Sequence, residues 1–490
     1  MDNSKKIHLK TGSVTPILPT SGATGTWLYG GYPGSGNDGN FDVSTWLKTA
    51  VNTINFYNSN GSNKLPITQV YAYASDMELP WTAQGTSPTY WDKTANYGYY
   101  FLDSSAPIPP QLVQAAEITK ITDLNIIIDG RIDNNYLQGF NDQITLTDAN
   151  NFATLVVSGG TSQGSIQPGV ASYGPNQKSN KPVIKGVQFD LEPFDSNSLN
   201  QLEFYHKAGN LLGSAGQYYS IFIFPRSMTQ ATADMLNGSI TYKFSDGNSD
   251  QVRNNGYVII SLYDMIDMTD DNLKTCQSPA NLNTSGINTS GICDVGSAPL
   301  PITTTTGDKT GMVISTSVPH SLPGYYNAAL LAVQQTIALA KKYNISYKFA
   351  IPGSASVHEF EDWGTYACKF TTKYPSDASC TETSMTTSSK NTQLDYIKKA
   401  IKAIQAGFNG KTDPLFLGID VYAFAFKQVW SPQMPTADWN SNYYYGNTCT
   451  FVTDANDINP AYIYTGPSNP NSDVLTYLSS VTTLINPSPD

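Results

Sequence analysis

The chain has 490 residues, of which only 14% are charged, and it carries a formal net charge of −11. That length allows one large domain or two to three ordinary ones, with enough chain to bury a sizeable core. The acidic balance, with no Lys/Arg cluster beyond pairs such as Lys398–Lys399, argues against nucleic acid and anionic membranes and permits neutral partners such as polysaccharides.

The start, MDNSKKIHLK, has no apolar leader core, and no window approaches the ~18 apolar residues of a membrane span. A secreted chain would have lost its leader before this start. Residues 1–24 read as an N-terminal extension, and 25–490 as one domain. Apolar runs then recur, mostly alternating with helical patterns. Thr26 to Tyr32 is the first predicted strand, followed by a helix-like stretch over 41–57. Ile67 to Ser75 is the second strand. Leu124 to Gly130 is the third, after a candidate helix from Pro110 to Ile121. Asn150 to Val157 is the next helix, Val183 to Leu191 the fourth strand, and Leu199 to Leu212 the helix after it. Tyr218 to Phe224 and Gly256 to Tyr263 are the fifth and sixth strands. Tyr325 to Tyr343 is a long amphipathic helix before the seventh strand, Tyr347 to Pro352. Thr392 to Ala406 is a helix before the eighth, Leu415 to Tyr422. A last helix lies near Val474 to Ile485.

Eight near-continuous apolar strands suggest a parallel sheet covered on both faces. Eight alternating units most simply close into an α/β fold of the (β/α)8 TIM barrel type. An open doubly wound sheet is the competitor, but the first strand lacks the combination of a GxGxxG turn with a following acid that a dinucleotide site needs, and no P-loop is present. The chain exceeds the typical barrel length of ~250 residues. The excess falls after strands two, six and seven, at about 76–109, 264–323 and 354–391. Such insertions decorate the C-terminal face, where barrel active sites lie. The first is rich in aromatics, with Trp81 and Trp91, and a further aromatic loop carries Trp430 and Trp439. Composition alone favours ordinary loop packing over sugar stacking for Trp81, Trp91 and Trp430.

Five cysteines are present, none in a CxxC, and only four histidines, so a zinc site is not expected. Cys276/Cys293 and Cys368/Cys380 each bracket a polar loop and read as two local disulfides, which implies an oxidising compartment. Cys449 is left over. Sequons stand at Asn60, Asn237, Asn283, Asn288 and Asn344, a number that chance allows in a chain this rich in Asn, Ser and Thr. The Asn37–Asp42 stretch lacks full calcium-loop spacing and reads as a turn.

The fourth strand ends in two acids, IKGVQFDLEPF. Residues i and i+2 share a strand face, so Gln188, Asp190 and Glu192 point the same way. Two acids this close do not both ionise cheaply, so one stays protonated nearer neutrality, as a general acid for glycosidic cleavage must. The plain alternative is a structural ion pair with Arg131 or Arg226, each just past a strand end.

At these residues the chain resembles the family 18 glycoside hydrolases, the chitinases and their endo-β-N-acetylglucosaminidase relatives. Their fourth strand carries DGxDxDxE, and here KGVQFDLE matches it at Gly186, Asp190 and Glu192. Lys185 and Gln188 stand at the first two acid positions, and Leu191 where an aromatic is common. Ser261–Leu262–Tyr263–Asp264 resembles the family's Met-x-Tyr-Asp at strand six. Ala350–Ile351–Pro352 echoes Gly-x-Pro at strand seven, and Asp129–Gly130 ends strand three where the family has Ser-x-Gly-Gly. The resemblance spans Ile67 to Tyr422, and strands four and six carry its specific motifs.

The resemblance implies substrate-assisted retaining hydrolysis of glycans containing β-linked N-acetylglucosamine. Glu192 would protonate the leaving oxygen, Asp190 would orient the attacking N-acetyl group, and Tyr263 would hydrogen-bond its oxygen. Gln188, Asp264, Tyr73 and Asp129 would bind substrate, with Tyr422 or Trp430 beneath the sugar. An oligosaccharide or polysaccharide is the expected partner of a secreted monomer, with no cofactor and no metal. Gln188 can donate a hydrogen bond but cannot take up a charge, so a sugar-binding barrel that does not cut is one alternative. Another is a two-carboxylate retaining glycosidase, in which Glu192–Pro193 resembles an Asn-Glu-Pro strand end and Glu359 or Glu361, beside His358, is the nucleophile.

Overall fold

The computed structural model describes residues 6–7, 17–28, 54–55, 57–59, 65–78, 81–82, 90–91, 98–101, 123–131, 145–162, 165–177, 183–192, 194–262, 265, 268–278, 293, 302–303, 313–315, 322–352, 366–370, 378–382, 393–422, 426–428, 443–445, 450–452, 462–464, 472–481 and 484. The helix-like stretch at 41–57, for the most part, and the candidate helix at 110–121 lie outside them.

Eight parallel strands form the centre: β1 (Ala23–Leu28), β2 (Ile67–Glu78), β3 (Asp123–Arg131), β4 (Gly186–Glu192), β5 (Tyr218–Ile223), β6 (Gly256–Ser261), β7 (Tyr347–Pro352) and β8 (Phe416–Tyr422). Each pairs with its neighbours in sequence, and β1 pairs in parallel with both β2 and β8, as Thr26 does with Val70 and Val421. The sheet is therefore closed: this is a (β/α)8 barrel. Closure leaves no barrel edge free to pair with another chain.

The outward rows explain the apolar runs. Val187, Phe189 and Leu191 of β4, Tyr219, Ile221 and Ile223 of β5, and Val258 and Ile260 of β6 are all buried. Helices cover that face: α1 (Leu146–Ser158), α2 (Leu199–Ser214), α3 (Gln230–Leu236), α4 (Asp270–Gln277), α5 (Leu322–Tyr343), α6 (Gln393–Phe408) and α7 (Ser472–Ser480). Phe189 meets Phe204 and Tyr205 of α2 edge-on at 5.5 and 5.7 Å. Burying one such ring is worth about 2–3 kcal/mol. Helix starts follow local chemistry. Thr145 and Asp148 form a capping box at α1, and Ser198, Thr229 and Thr269 cap α2, α3 and α4. The short helices α3 and α4 are not visible as periodic patterns in the sequence.

Strand ends differ from the sequence reading in places. β1 starts at Ala23, three residues before the expected Thr26, after a turn with Gly22 at φ +82°. β4 starts at Gly186, and Val183 ahead of it is 41% exposed. β2 runs on to Glu78 through an irregularity between Tyr73 and Ser75, and Gly98–Phe101 pairs antiparallel with its far end. The insertions after β6 and β7 share one antiparallel sheet, in the order Ile302–Thr303, Val313–Ser315, Tyr366–Phe370, Ala378–Glu382.

The N-terminal stretch is tied to the body. Lys6–Ile7 pairs with Thr241–Lys243, and Ile17 N–H donates to the Asn254 carbonyl at 2.9 Å. A disulfide joins Cys276 of α4 to Cys293, both buried. The backbone register sets Cys368 opposite Cys380, but their side chains, and all of Cys449, lie outside the described residues. Two sequons have structural roles. Asn344 follows α5 with φ +56°, and Asn237 Nδ2 donates to the Tyr343 and Asn344 carbonyls there. No described helix is long and apolar enough to cross a membrane.

Candidate functional site

Gly186, the first residue of β4, has no room for a side chain. A Cβ there would lie 2.3 Å from the Tyr218 ring and 2.4 Å from Asn125 Oδ1. Two residues on, Gln188 is buried inside the barrel. Its Oε1 accepts a hydrogen bond from Trp27 Nε1 of β1 at 3.0 Å, and its Nε2 donates to the Phe189 carbonyl at 3.2 Å. Asp190, the next residue on that face, is half-buried, and Glu192 ends the strand.

The register across the neighbouring strands brings acids into one row. Asp190 stands opposite Asp129 of β3, and Asp129 opposite Asp76 of β2. Two register positions further, Glu192 stands opposite Arg131. The backbone thus places Asp190, Glu192 and Asp129 together at the C-terminal ends of adjacent strands.

Tyr73 and Tyr422 also lie in barrel strands, Tyr422 in register with Pro352. The side chains of Tyr73, Asp129, Glu192 and Tyr422 lie outside the described residues, as do Tyr263, Asp264, Trp430, His358, Glu359, Glu361 and the Asn37–Asp42 turn. Arg226 is exposed, with its guanidinium 5.1 Å from the Phe224 ring centre.

Beneath this row the barrel core is polar, where branched apolar side chains usually fill the layers. Lys348 of β7 forms a fully buried ion pair with Asp420 of β8 and donates to Gln69 Oε1 of β2 at 2.5 Å. Tyr71 OH donates to Asp420 Oδ2 at 3.1 Å and lies 2.9 Å from Tyr257 OH, which therefore donates to it. Gln69 Nε2 donates to Tyr218 OH at 3.3 Å. The Tyr71 ring stacks on Trp27, with centroids 4.7 Å apart and planes 20° apart. A continuous set of contacts thus runs from Lys348 through Asp420, Tyr71 and Trp27 to Gln188. Gly25 leaves room for it: a Cβ there would lie 2.2 Å from Asp420 Oδ1 and 2.7 Å from Tyr71.

Burial sets the electrostatics. It pulls the Lys348 ammonium below its ordinary range, with Asp420 and Asp123 opposing. It pushes the Asp420 carboxyl up, with Lys348 and Tyr71 opposing. It holds Tyr71 well above the usual phenol range, and Asp420 adds to that rise. Asp123, at the start of β3, is likewise raised by burial, against the pull of Lys185 and Lys348. Asn125 and Ser220 are buried beside Tyr218 and Tyr257 without a hydrogen bond of good geometry.

Sequence reasoning missed this core and the place of Asp76. A signal existed for the core. Lys348 sits inside YKFAIP and Asp420 inside LFLGIDVY, and a charge within a buried strand must find a partner. Among the described residues no group of His, Cys, Asp and Glu could hold a metal ion. No protein-family model matches the chain, and no curated protein is found similar to it.

Proposed function

We propose that the chain is a secreted glycoside hydrolase that cleaves glycans at a β-linked N-acetylglucosamine by substrate assistance. The observation that carries this reading is the position of KGVQFDLE. Its last seven residues, GVQFDLE, form β4 of a closed (β/α)8 barrel, with Asp190 and Glu192 at the C-terminal end, the face where such barrels carry their chemistry.

In this reading Glu192 gives its proton to the glycosidic oxygen as the bond to the anomeric carbon breaks. The acetamide oxygen of the same sugar attacks that carbon from the opposite face. Asp190 holds the acetamide N–H and stabilises the positive charge of the resulting oxazolinium ring. Water, deprotonated by Glu192, then opens the ring with net retention. Tyr263 hydrogen-bonds the acetamide oxygen, Gln188, Asp264, Tyr73 and Asp129 line the subsite, and Tyr422 or Trp430 stacks beneath the sugar. The Cys276–Cys293 disulfide supports an oxidising, extracellular setting.

A second reading has its own support. Gln188, neutral and held by Trp27, occupies a position where an acid would share a proton with Asp190, which favours a barrel that binds the sugar without cutting.

Two measurements on chitooligosaccharides separate these. Substrate assistance predicts β-anomeric product in the first minutes by proton NMR, and competitive inhibition by an N-acetylglucosamine thiazoline. Inverted product, or turnover indifferent to the thiazoline, would overturn the mechanism. Sugar binding with no turnover would select the second reading.

A further inference from the structure

We infer that Trp27 is a positioning residue for this site, fixing the sense of the Gln188 amide so that Gln188 turns hydrogen-bond donors toward Asp190. An amide has one acceptor end and one donor end, and its two orientations differ only in which end faces which neighbour. The Trp27 indole is a donor only. With Nε1–H 3.0 Å from Gln188 Oε1, the flipped amide would set donor against donor. The amide nitrogen is thereby directed to the carbonyl of Phe189, the peptide that leads into Asp190. Gln188 Nε2 has a second hydrogen, and Asp190 is the next residue on the same strand face.

Trp27 is itself held. It is 2% exposed and stacked on Tyr71, whose hydroxyl is tied to Asp420 and through it to Lys348. The buried ion pair thus acts as a footing for the indole, and a neutral side chain performs an electrostatic task. A donor beside a carboxylate favours its ionised form. The inference rests on the glycosidase reading only for the chemistry that Asp190 serves.

The other groups around Asp190 set the background. Asp129 of β3 and Asp76 of β2 stand in its register row, and Glu192 follows on β4 with Arg131 opposite. Tyr205 of α2 lies within electrostatic range from outside the wall. On β5, residues 220–222 carry no ionisable group.

The test is the titration of the Asp190 carboxyl carbon by NMR, assigned with Asp190→Asn, in wild type, Trp27→Phe, Gln188→Ala and the double variant. Phenylalanine keeps a ring against Tyr71 and removes the indole donor together with part of the indole volume, so Gln188→Ala serves as the control that leaves Trp27 intact. Trp27→Phe should raise the Asp190 midpoint by about half to one pH unit. Gln188→Ala should do the same, and the double variant no more than either. An unmoved midpoint in Trp27→Phe, or shifts that add in the double variant, would overturn the inference. A second readout covers the case in which Trp27→Phe does not fold. The Trp27 indole N–H should exchange faster and shift its resonance in Gln188→Ala, and an unchanged signal there counts against the inference. Neither readout needs turnover, so a failure of the glycosidase reading, seen in the product assays, is distinguishable from a failure of this one.

Discussion

Lys348 of β7 and Asp420 of β8 form an ion pair in which both side chains are 0% exposed. Taking both charges out of water costs several kcal/mol, which their attraction and the bonds to Gln69 and Tyr71 must offset. Removing one partner leaves the other charged and alone. Lys348→Met and Asp420→Leu should therefore each lower the unfolding free energy by about 3–5 kcal/mol in urea titrations. The double variant should cost far less than the sum. Additive losses would mean that the two side chains do not depend on each other.

Gly25 tests the packing around that pair. Alanine there puts a methyl group against Asp420 and Tyr71, neither of which can retreat without breaking a hydrogen bond. Gly25→Ala should cost about 2 kcal/mol or more. A thermal melt unchanged from wild type would mean that the space assigned to the Asp420 carboxylate is free.

The pH dependence of stability has a defined sign at Asp123. Burial raises its carboxyl pKa above that of the unfolded chain, against opposing pulls from Lys185 and Lys348. The folded state then holds the proton more tightly than the unfolded state. The stability this group contributes is full below the unfolded carboxylate range of about 4 and is lost as pH rises through the folded pKa. Asp123→Asn cannot ionise, so the variant should be more stable than wild type at neutral pH, with the gap closing toward pH 4. Urea midpoints measured across that range check it, and a gap that widens on acidification would contradict it.

The Cys276–Cys293 bridge closes a short loop, with a sequence separation of 17. Its removal by Cys276→Ser with Cys293→Ser should lower stability by about 2–4 kcal/mol. Peptide mapping without reductant should recover the two cysteines cross-linked.

The barrel was legible from the sequence because its signal is local. Runs such as YYSIFI and GYVIIS have buried outward rows whatever lies far away, and their order alone suggests closure. The expected row of Gln188, Asp190 and Glu192 follows from strand alternation, which is also local. What was not legible depends on register and on contacts distant in the chain. Gln188 meets Trp27 across 161 residues, and Lys348 meets Gln69 across 279. The alignment of Asp76 with Asp129 passes through an irregularity after Tyr73 that no periodicity announces. The sheet shared by the two insertions likewise joins strands of only two to five residues, too short to show a period, that lie far apart in the chain.

The most direct test of the central claim is turnover of chitooligosaccharides and of an N-glycoprotein by wild type beside Glu192→Gln. The isosteric amide keeps the shape of the side chain and removes the proton donor. The expected result is hydrolysis by wild type and a loss of about a hundredfold or more in Glu192→Gln, with sugar binding retained. Turnover unaffected by Glu192→Gln, or no hydrolysis of either glycan by a folded wild type, would contradict the assignment of Glu192 as the general acid of a glycosidase.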